Sequence, residues 1–567
     1  MTSVTCGASR GRPGTDRPGV EEAPRPTDRR HRRGGAPRLP YPADVPAPSS
    51  AVLTGYDLTL EAVDAVARHG APATLDPVAR ERMLASRRTI ESIVASGEAV
   101  YGVTTGFGDL ANRRIEPADA ARLQQNLLVS HAVGVGAPFD TATVRAMLLL
   151  RANTLALGYS GCRPEVVERL LEFLARGIHP VVPEQGSVGA SGDLAPLAHL
   201  ARPLIGRGEV EFGGRQMPAA TALEAAGLAP LELQAKEGLA LLNVTQMMTA
   251  IGALTVLDAE RLAGCASVIA AMSIEALLGT DVAFAAAYHA ARPHDGQGRV
   301  AAELRHLLRG SQLQRSHHGE AHKVQDAYSL RCVPQVHGAS RDALAYARRV
   351  LEVEINSATD NPLVFPTGAG EDADATAMAT AQGRVISGGN FHGQPVALAM
   401  DFAKLAIAEL GSISERRTAL LLDPRLSGLP PFLVQDAGLN SGLMLLQYTA
   451  AALVSENKVL AHPASADSIP TSANQEDHVS MGSIAARHAR DVLRNVEHVL
   501  ALELLCAAQG LDLRTTDGTT PGDGVALAHA RVRRRIPHLT ADRDQGPDIS
   551  AALALVRDGS LLDLLPV

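Results

Sequence analysis

The core of this chain has to be built almost without aromatic side chains. Of the 567 residues, 46% are apolar, but Phe, Tyr and Trp together make up only 3% and Trp is absent. Leucine, alanine and valine must therefore fill the interior, and Ala and Leu are strong helix formers, whereas aromatic residues favour strands. Because a chain of this length can bury a large core, the composition predicts a mainly α-helical protein.

Several segments carry the apolar period of a helix. Pro164 begins one predicted helix and Gly177 ends it. Longer helices are predicted over 339–358, 396–412, 441–460 and 483–509, the last followed by Gly510. Their surfaces are apolar nearly all round, which indicates helices packed on several sides. We expect a long antiparallel helical bundle in residues 251–567, behind a more irregular N-terminal domain in residues 51–250.

Residues 1–50 differ from the rest of the chain. They are rich in Arg, Pro and Gly and hold few large apolar residues, so they cannot bury enough surface to offset ordering, and we predict a disordered tail. They contain no apolar signal-peptide region. The net charge of −8 gives no general attraction to nucleic acid or to an anionic membrane. The five cysteines lack metal-binding spacing and are typical of reduced thiols in a cytoplasmic protein.

A run of small residues around position 190 could form an electrophile. If the Gly192 nitrogen attacked the Ala190 carbonyl and Ser191 were dehydrated, the product would be a 4-methylideneimidazole-5-one. Such a group would be valuable because amino-acid side chains include no strong electrophile. Alone, the tripeptide is weak evidence, since most Ala-Ser-Gly segments are ordinary turns. Asp193, which follows at once, either assists the cyclisation or caps a helix.

A glycine-rich loop with a tyrosine at its head, Tyr101-Gly-Val-Thr-Thr-Gly-Phe-Gly108, precedes the tripeptide. Its glycines allow the backbone to approach a ligand closely. It matches neither the phosphate-loop nor the dinucleotide-binding pattern. Alone, the loop is more typical of a turn with a buried Tyr than of a ligand site, and it gives no sign of a nucleotide cofactor.

Together these motifs resemble the histidine and aromatic amino acid ammonia-lyases. Further matches follow in the family's order, from about residue 52 to the C-terminus: Leu241-Leu-Asn243, Val324-Gln-Asp-Ala-Tyr-Ser-Leu-Arg-Cys332, Ser387-Gly-Gly-Asn-Phe-His392, Ser414-Glu-Arg-Arg417, Leu429-Pro-Pro-Phe432 and Ser472-Ala-Asn-Gln-Glu-Asp-His-Val-Ser-Met481. The resemblance implies a fumarase/aspartase-like bundle, although the fumarase signature itself is absent. It also implies a homotetramer with active sites shared between subunits, and the methylideneimidazolone formed autocatalytically from Ala190, Ser191 and Gly192.

The resemblance also implies roles for polar residues. Tyr101 is expected to be the base that removes the substrate's β-proton, with Glu476 as an open alternative. A phenol is a weak base at neutral pH, so nearby positive charge or donors should favour its phenolate. Asn243 is expected to bind the prosthetic group or the substrate amine.

Four more residues complete the expected site. Arg331 is suited to hold the substrate carboxylate, because its planar guanidinium can bind both oxygens. Gln325 and Tyr328 lie three residues apart, with Arg331 three further, so one helical turn could present them together. Phe391 is expected to pack against the prosthetic ring.

Two positions indicate histidine as the substrate. His131, after Ser130, could hydrogen-bond an imidazole ring. At position 476, relatives that act on Phe or Tyr usually carry an amide, whereas a carboxylate can pair with imidazole but would be a costly buried charge beside a phenyl ring. The expected reaction is the non-oxidative elimination of ammonia from L-histidine to trans-urocanate, the first step of histidine degradation. No metal or nucleotide cofactor is expected, since His317, His318, Glu320 and His322 fit no strong ligand template.

Three alternatives remain open. The chain could be an aromatic ammonia-lyase or a 2,3-aminomutase with the same electrophile. It could also be an inactive helical scaffold, because Val244 stands where the family usually has Gly and its bulk could narrow the pocket. Nucleic-acid binding through the basic tail would be sensitive to salt. The expected partner is a small molecule, with neither nucleic acid nor membrane.

Overall fold

The structure is a computed structural model that describes residues 50–106, 112–317, 324–367, 378–380 and 383–566. The predicted tail, apart from Ser50, lies outside these ranges. So do Phe107 and Gly108 of the glycine-rich loop and His318, Glu320 and His322 of the rejected metal cluster.

Helices dominate the described ranges. They are α1 (Leu60–His69), α2 (Pro77–Ser96), α3 (Ala120–His131), α4 (Thr141–Ala156), α5 (Pro164–Arg176), α6 (Leu194–Ala201), α7 (Ala219–Ala225), α8 (Glu237–Leu242), α9 (Gln246–Ala276), α10 (Ala286–Ala290), α11 (Asp295–Leu307), α12 (Gln312–Ser316), α13 (Tyr328–Arg331), α14 (Val333–Glu354), α15 (Gln394–Leu422), α16 (Pro424–Ser427), α17 (Met444–Leu460), α18 (Gly482–Arg514), α19 (Asp523–Arg533) and α20 (Gly546–Arg557).

Short strands form small sheets at the edges of the helical body. They are β1 (Ala51–Leu53), β2 (Ala73–Leu75), β3 (Val135–Pro138), β4 (His179–Pro180), β5 (Pro183–Gln185), β6 (Glu209–Phe212), β7 (Arg215–Pro218), β8 (Leu363–Pro366), β9 (Met378–Thr380) and β10 (Gly383–Ile386). β1 pairs with β2 in parallel, β3 pairs with β5, and the sheets β4-β6-β7 and β8-β10-β9 are antiparallel.

The core is a bundle of the longest helices. α18 packs against α15, α9, α17 and α20, and α14 packs against α15, α11 and α9. α9 is buried over nearly its whole length. Among the described residues, the segment Glu237–Ala276 is long and apolar enough to cross a membrane, but its apolar window is entirely buried inside the protein. The prediction of a mainly α-helical bundle is confirmed.

Local signals at both ends gave the right bounds for α5 but not for every helix. The helix predicted over 339–358 is α14, which begins earlier, at Val333, and ends earlier, at Glu354. α5 begins at Pro164 and ends before Gly177, whose φ of +67° lets its N–H bond to the Phe173 carbonyl. α15 is longer at both ends than predicted. α18 continues past Gly510 to Arg514, so this glycine is not a helix end. A Cβ at position 510 would lie 3.1 Å from Ala276 Cβ, which indicates that the glycine allows close packing of two helices. α9 crosses residue 250, and the predicted domain boundary at that point stays a prediction.

Asp512 fastens the C-terminal helices to the bundle. On α18, it accepts hydrogen bonds from His529 Nε2 (2.7 Å) and His538 Nδ1 (2.8 Å), and it pairs with Arg533. Burial alone would raise the pKa of Asp512, but the hydrogen bonds from His529, Arg533 and His538 outweigh burial and hold the pKa well below its ordinary value. The carboxylate form therefore stabilises the fold.

We expect Asp512→Asn to destabilise the protein by about 2 kcal/mol at pH 7, because it removes charged hydrogen bonds. Since the folded-state pKa is depressed, this contribution is complete above the unfolded pKa of about 3.9 and fades as the pH falls below it. Thermal unfolding from pH 7 to pH 3 measures the difference between variant and wild type. Asp563→Asn is the control, because Asp563 pairs with Arg531 at an exposed site (62% exposed) and should matter little. Equal effects of both substitutions would contradict the assignment.

Candidate active site

The Ala190-Ser191-Gly192 segment lies between β5 and α6 and is held from both sides. Ser480 Oγ donates to the Gly189 carbonyl (2.9 Å) and Ser483 Oγ to the Ser187 carbonyl (2.6 Å). On the other side, the Asp193 N–H donates to the Val244 carbonyl at 2.7 Å. These bonds tie the segment to the start of α18 and to the turn before α9.

Gly192 sits where no other residue fits. Its φ is +72°, and a Cβ on it would lie 2.3 Å from the Val244 carbonyl oxygen. Neither the Gly192 N–H nor the Ala190 carbonyl makes a hydrogen bond to another described residue. The two atoms that cyclisation would join are therefore not engaged elsewhere in the described chain, so the residues present fit the proposed group.

Asp193 caps a helix, but not its own. Its side chain makes no capping bond to α6. It accepts instead from Ser187 Oγ and from the Met248 N–H in the first turn of α9, both at 2.9 Å. Burial raises the pKa of Asp193 to about 7, against the opposing hydrogen bonds from Met248 and Ser187. Both sequence-based interpretations of Asp193, cyclisation and capping, are compatible with this position.

Glu476 faces Ser191 directly. The Ser191 hydroxyl donates to Glu476 Oε1 at 2.5 Å, across 285 residues of sequence. Thr471 Oγ1 donates to the other carboxylate oxygen at 2.7 Å, and Thr471 and Glu476 also exchange main-chain hydrogen bonds. The carboxylate is thus oriented toward the tripeptide by its own loop.

Two cavities meet at this pair of residues. One, of about 540 Å³, is mostly polar; the other, of about 470 Å³, is mostly apolar. Tyr101, Ser191, Asn243 and Glu476 line both. Ala190 and Phe391 line the polar cavity. With His131, which lines the apolar cavity, the structure therefore brings together seven of the residues predicted from the sequence.

His131 lines the apolar cavity. It ends α3 and shares the cavity wall with Leu127, Leu239 and Leu242. Its Nδ1 lies 3.0 Å from Ser130 Oγ. Burial lowers the pKa of His131, and the Leu127 carbonyl and the Glu476 carboxylate oppose that shift without overcoming it. A neutral imidazole at neutral pH can both donate and accept a hydrogen bond.

Asn243 offers a free acceptor to the cavity. It caps the C-terminal end of α8, and its Nδ2 donates to the Asn361 carbonyl at 3.4 Å. Its Oδ1 is buried and has no hydrogen-bond partner among the described residues. A buried acceptor without a partner is costly, so this atom is suited to an N–H of a ligand or of the prosthetic group.

Gln325, Tyr328 and Arg331 lie elsewhere on the chain. Tyr328 is 72% exposed, with the Arg331 guanidinium 4.7 Å from its ring centre, and Gln325 is exposed before α13. None of the three lines either cavity. Within one chain, the structure therefore does not bring them to Ser191.

Sequence reasoning missed part of the polar wall. Asn361 was not among the predicted site residues, yet its Oδ1 accepts from the Gly388 N–H (2.7 Å) and its Nδ2 donates to Ser387 Oγ (3.1 Å). His392 and His478 also line the cavity, with their rings stacked 5.8 Å apart. The Ser387–His392 motif was the available signal. Among the described residues, no group of three His, Cys, Asp or Glu side chains is arranged to hold a metal ion.

Comparison with known proteins assigns this architecture to a family. The model of the aromatic amino acid lyases matches residues 58–534. The chain belongs to the aromatic amino acid lyase family. It is a carbon–nitrogen lyase by that membership.

Individual relatives are similar to this chain over nearly its whole length. A histidine ammonia-lyase of Anaeromyxobacter dehalogenans is 55% identical over 518 residues, which cover 90% of this chain and 99% of the relative. The crystal structure of histidine ammonia-lyase from Trypanosoma cruzi has a TM-score of 0.82 and 43% identity, with 91% of this chain and 94% of that one covered. Tyrosine aminomutase from Streptomyces globisporus has a TM-score of 0.83 and 40% identity, with 91% and 98% covered.

Val244 does not narrow the cavities, since it lines neither of them and its side chain is fully buried in the main core. We expect Val244→Gly to cost about 3 kcal/mol of stability, from the lost side chain and the added backbone freedom, and to leave KM nearly unchanged. Thermal unfolding and steady-state kinetics measure both. Val78→Gly, at an exposed position in α2, is the control and should cost about 1 kcal/mol. A lower KM without destabilisation would contradict this account.

Proposed function

We propose that this chain is a histidine ammonia-lyase, which eliminates ammonia from L-histidine to give trans-urocanate. The 2.5 Å contact between Ser191 and Glu476 carries the proposal, because it puts a carboxylate beside the candidate electrophile in a cavity that also holds His131. Such a carboxylate suits an imidazole and would be an unpaired charge beside a phenyl ring. The 55% identity to histidine ammonia-lyases supports the same substrate.

The tripeptide would supply an electrophilic methylidene carbon that accepts the substrate amine. The surrounding residues would do the rest of the chemistry. Tyr101 and Glu476 both line the cavity next to Ser191, and one of them would take the β-proton while substrate and electrophile are held in one pose. His131 would hydrogen-bond the imidazole ring from the apolar side, and Phe391 would border the pocket. The unpaired Asn243 Oδ1 would accept an N–H.

The substrate carboxylate needs a cation. Among the described residues, Arg113 lines the apolar cavity, whereas Arg331, whose planar guanidinium suits a carboxylate, lines neither cavity of its own chain. We propose that Arg331, with Tyr328 and Gln325, reaches the cavity of a neighbouring copy in a homotetramer. The bundle helices support such an assembly, because they leave large apolar side chains exposed, among them Leu398, Phe402, Leu445 and Tyr448.

An aminomutase acting on tyrosine is the second candidate, because the tyrosine aminomutase structure matches this fold as closely as the histidine enzyme does. The two functions give different products. Histidine elimination yields the ultraviolet chromophore of urocanate, whereas an aminomutase yields a β-amino acid. Faster turnover of tyrosine than of histidine would favour the second candidate.

We expect the purified protein to weigh two waters less than its translated sequence, because cyclisation and dehydration each release one. Ser191→Ala has no hydroxyl to eliminate, so it should lack that mass deficit and should lose urocanate production by about 10³-fold or more. Intact-mass measurement and urocanate absorbance check both. Ser550→Ala, on the exposed side of α20, should keep the deficit and the activity. An unmodified wild-type mass would exclude the proposed reaction and favour an inactive scaffold.

We expect Glu476→Gln to lower turnover of L-histidine by about 10²-fold, because it removes the carboxylate's charge and basicity while keeping its shape. Its unfolding free energy should stay within about 1 kcal/mol of wild type. Initial rates with His, Tyr and Phe measure the effect for each substrate. Asp467→Asn, an exposed carboxylate earlier in the same connection, is the control and should be neutral. Undiminished histidine turnover by Glu476→Gln would refute the assigned role.

A further inference from the structure

A fully buried ion pair lies next to residues that line the polar active-site cavity. Lys236 Nζ is 3.0 Å from Asp360 Oδ2, and both side chains are fully buried. Neither residue lines either of the two active-site cavities. A pair in such surroundings contributes little net stability compared with an apolar pair of the same shape, so its presence calls for another explanation.

Lys236 joins the pair to one wall of the site. It is the residue from which α8 starts, with a φ of +69°, and Asn243 caps the other end of this six-residue helix. A short helix fixed at its start has little freedom at its end. The position of Asn243 beside Ser191 therefore depends on where Lys236 is held.

Asp360 joins the pair to a second wall. Its Oδ1 accepts from the Asn361 N–H at 2.6 Å. Asn361 in turn binds Ser387 and the Gly388 N–H through its side chain and Asn243 through its carbonyl. All four of these residues line the polar cavity.

The glycine next to Tyr101 rests on both walls. A Cβ at Gly102 would lie 2.8 Å from Leu239 Cδ2, on α8, and 3.1 Å from Pro362 Cδ, two residues after Asp360. The slot that receives Gly102 is thus bounded by one residue from each side of the ion pair. Its width sets how deeply the Tyr101 loop sits.

We propose that Lys236 and Asp360 act as positioning residues, fixing the separation of Tyr101, Asn243 and the Asn361–Gly388 wall in the active site. The kinetic readout rests on the proposed lyase function. A misplacement of about 1 Å in such a site can cost about 10²-fold in rate.

Arg151 makes Lys236 the better residue to remove. Arg151 is also fully buried, and the Asp360 carboxylate raises its pKa against the lowering effect of burial. Asp360 thus serves two buried cations. Lys236→Met leaves Asp360 balanced by Arg151, whereas Asp360→Asn leaves two cations without their carboxylate, so the first variant should fold better than the second.

The test measures kcat, KM, unfolding temperature and intact mass of Lys236→Met and Gly102→Ala. We expect kcat to fall by about 10²-fold in each, with KM within about threefold of wild type and the two-water mass deficit complete. Gly102→Ala leaves the ion pair intact and obstructs the slot directly, so it tests the same link if Lys236→Met does not fold. The double variant should fall no further than the worse single variant, because both act through one slot.

Arg341→Met is the control. Arg341 forms a buried pair with Glu303 between α14 and α11 (2.6 Å), away from both cavities. It should lower the unfolding temperature more than Lys236→Met does and leave kcat unchanged. The proposal is overturned if kcat of Lys236→Met stays at the wild-type value, if kcat losses follow stability across all variants, or if the mass deficit is incomplete. The rate measured is the release of ammonia from whichever amino acid the wild type deaminates. If the wild type is inactive on histidine, that result contradicts the proposed function but not the positioning role of Lys236 and Asp360.

Discussion

The close passage of the Val244 backbone beside Gly192 is the constraint on which the rest of the site depends. The two backbones approach so closely that no side chain could stand at position 192, and the Asp193 N–H bonds to the Val244 carbonyl. Val244 lies just before α9, which is buried over nearly its whole length. The contact with Val244 therefore fixes the position of the tripeptide relative to the helical core. The Asp193 carboxylate strengthens the link through the Met248 N–H.

Rigid elements set the positions of the polar groups, although most of these groups lie outside helices. Tyr101, Ser191, Phe391 and Glu476 are all in connecting segments, and Asn243 and His131 are at helix ends. The segment before Ser191 is held by a different part of the chain, through Ser480 and Ser483. The Glu476 carboxylate is held by Thr471 of its own loop. A bundle thus provides fixed ends, and the loops between them carry the chemistry.

The sequence could predict the helical core and much of the candidate site, for different reasons. Periodicity and caps are local, so α5 was predicted to within a residue. Gly510 gave a wrong prediction of the end of α18, since its role is a contact with Ala276, more than two hundred residues away. The residue types of the site were available from motifs, but the Ser191–Glu476 contact and the part played by Asn361 arise from packing between distant segments. Lys236 gave no signal at all, because nothing in its neighbourhood indicates a carboxylate at position 360.

The position of Tyr328 and Arg331 outside both cavities of their own chain has a consequence for how activity arises. Folding of the chain is unimolecular and forms both cavities, the tripeptide turn and the Glu476 contact. Under the proposed assembly, completing the substrate site requires a second event whose rate and extent follow the law of mass action. A correctly folded chain would then be necessary but not sufficient for turnover, and the cellular concentration of the protein would itself decide what fraction of the chains is competent.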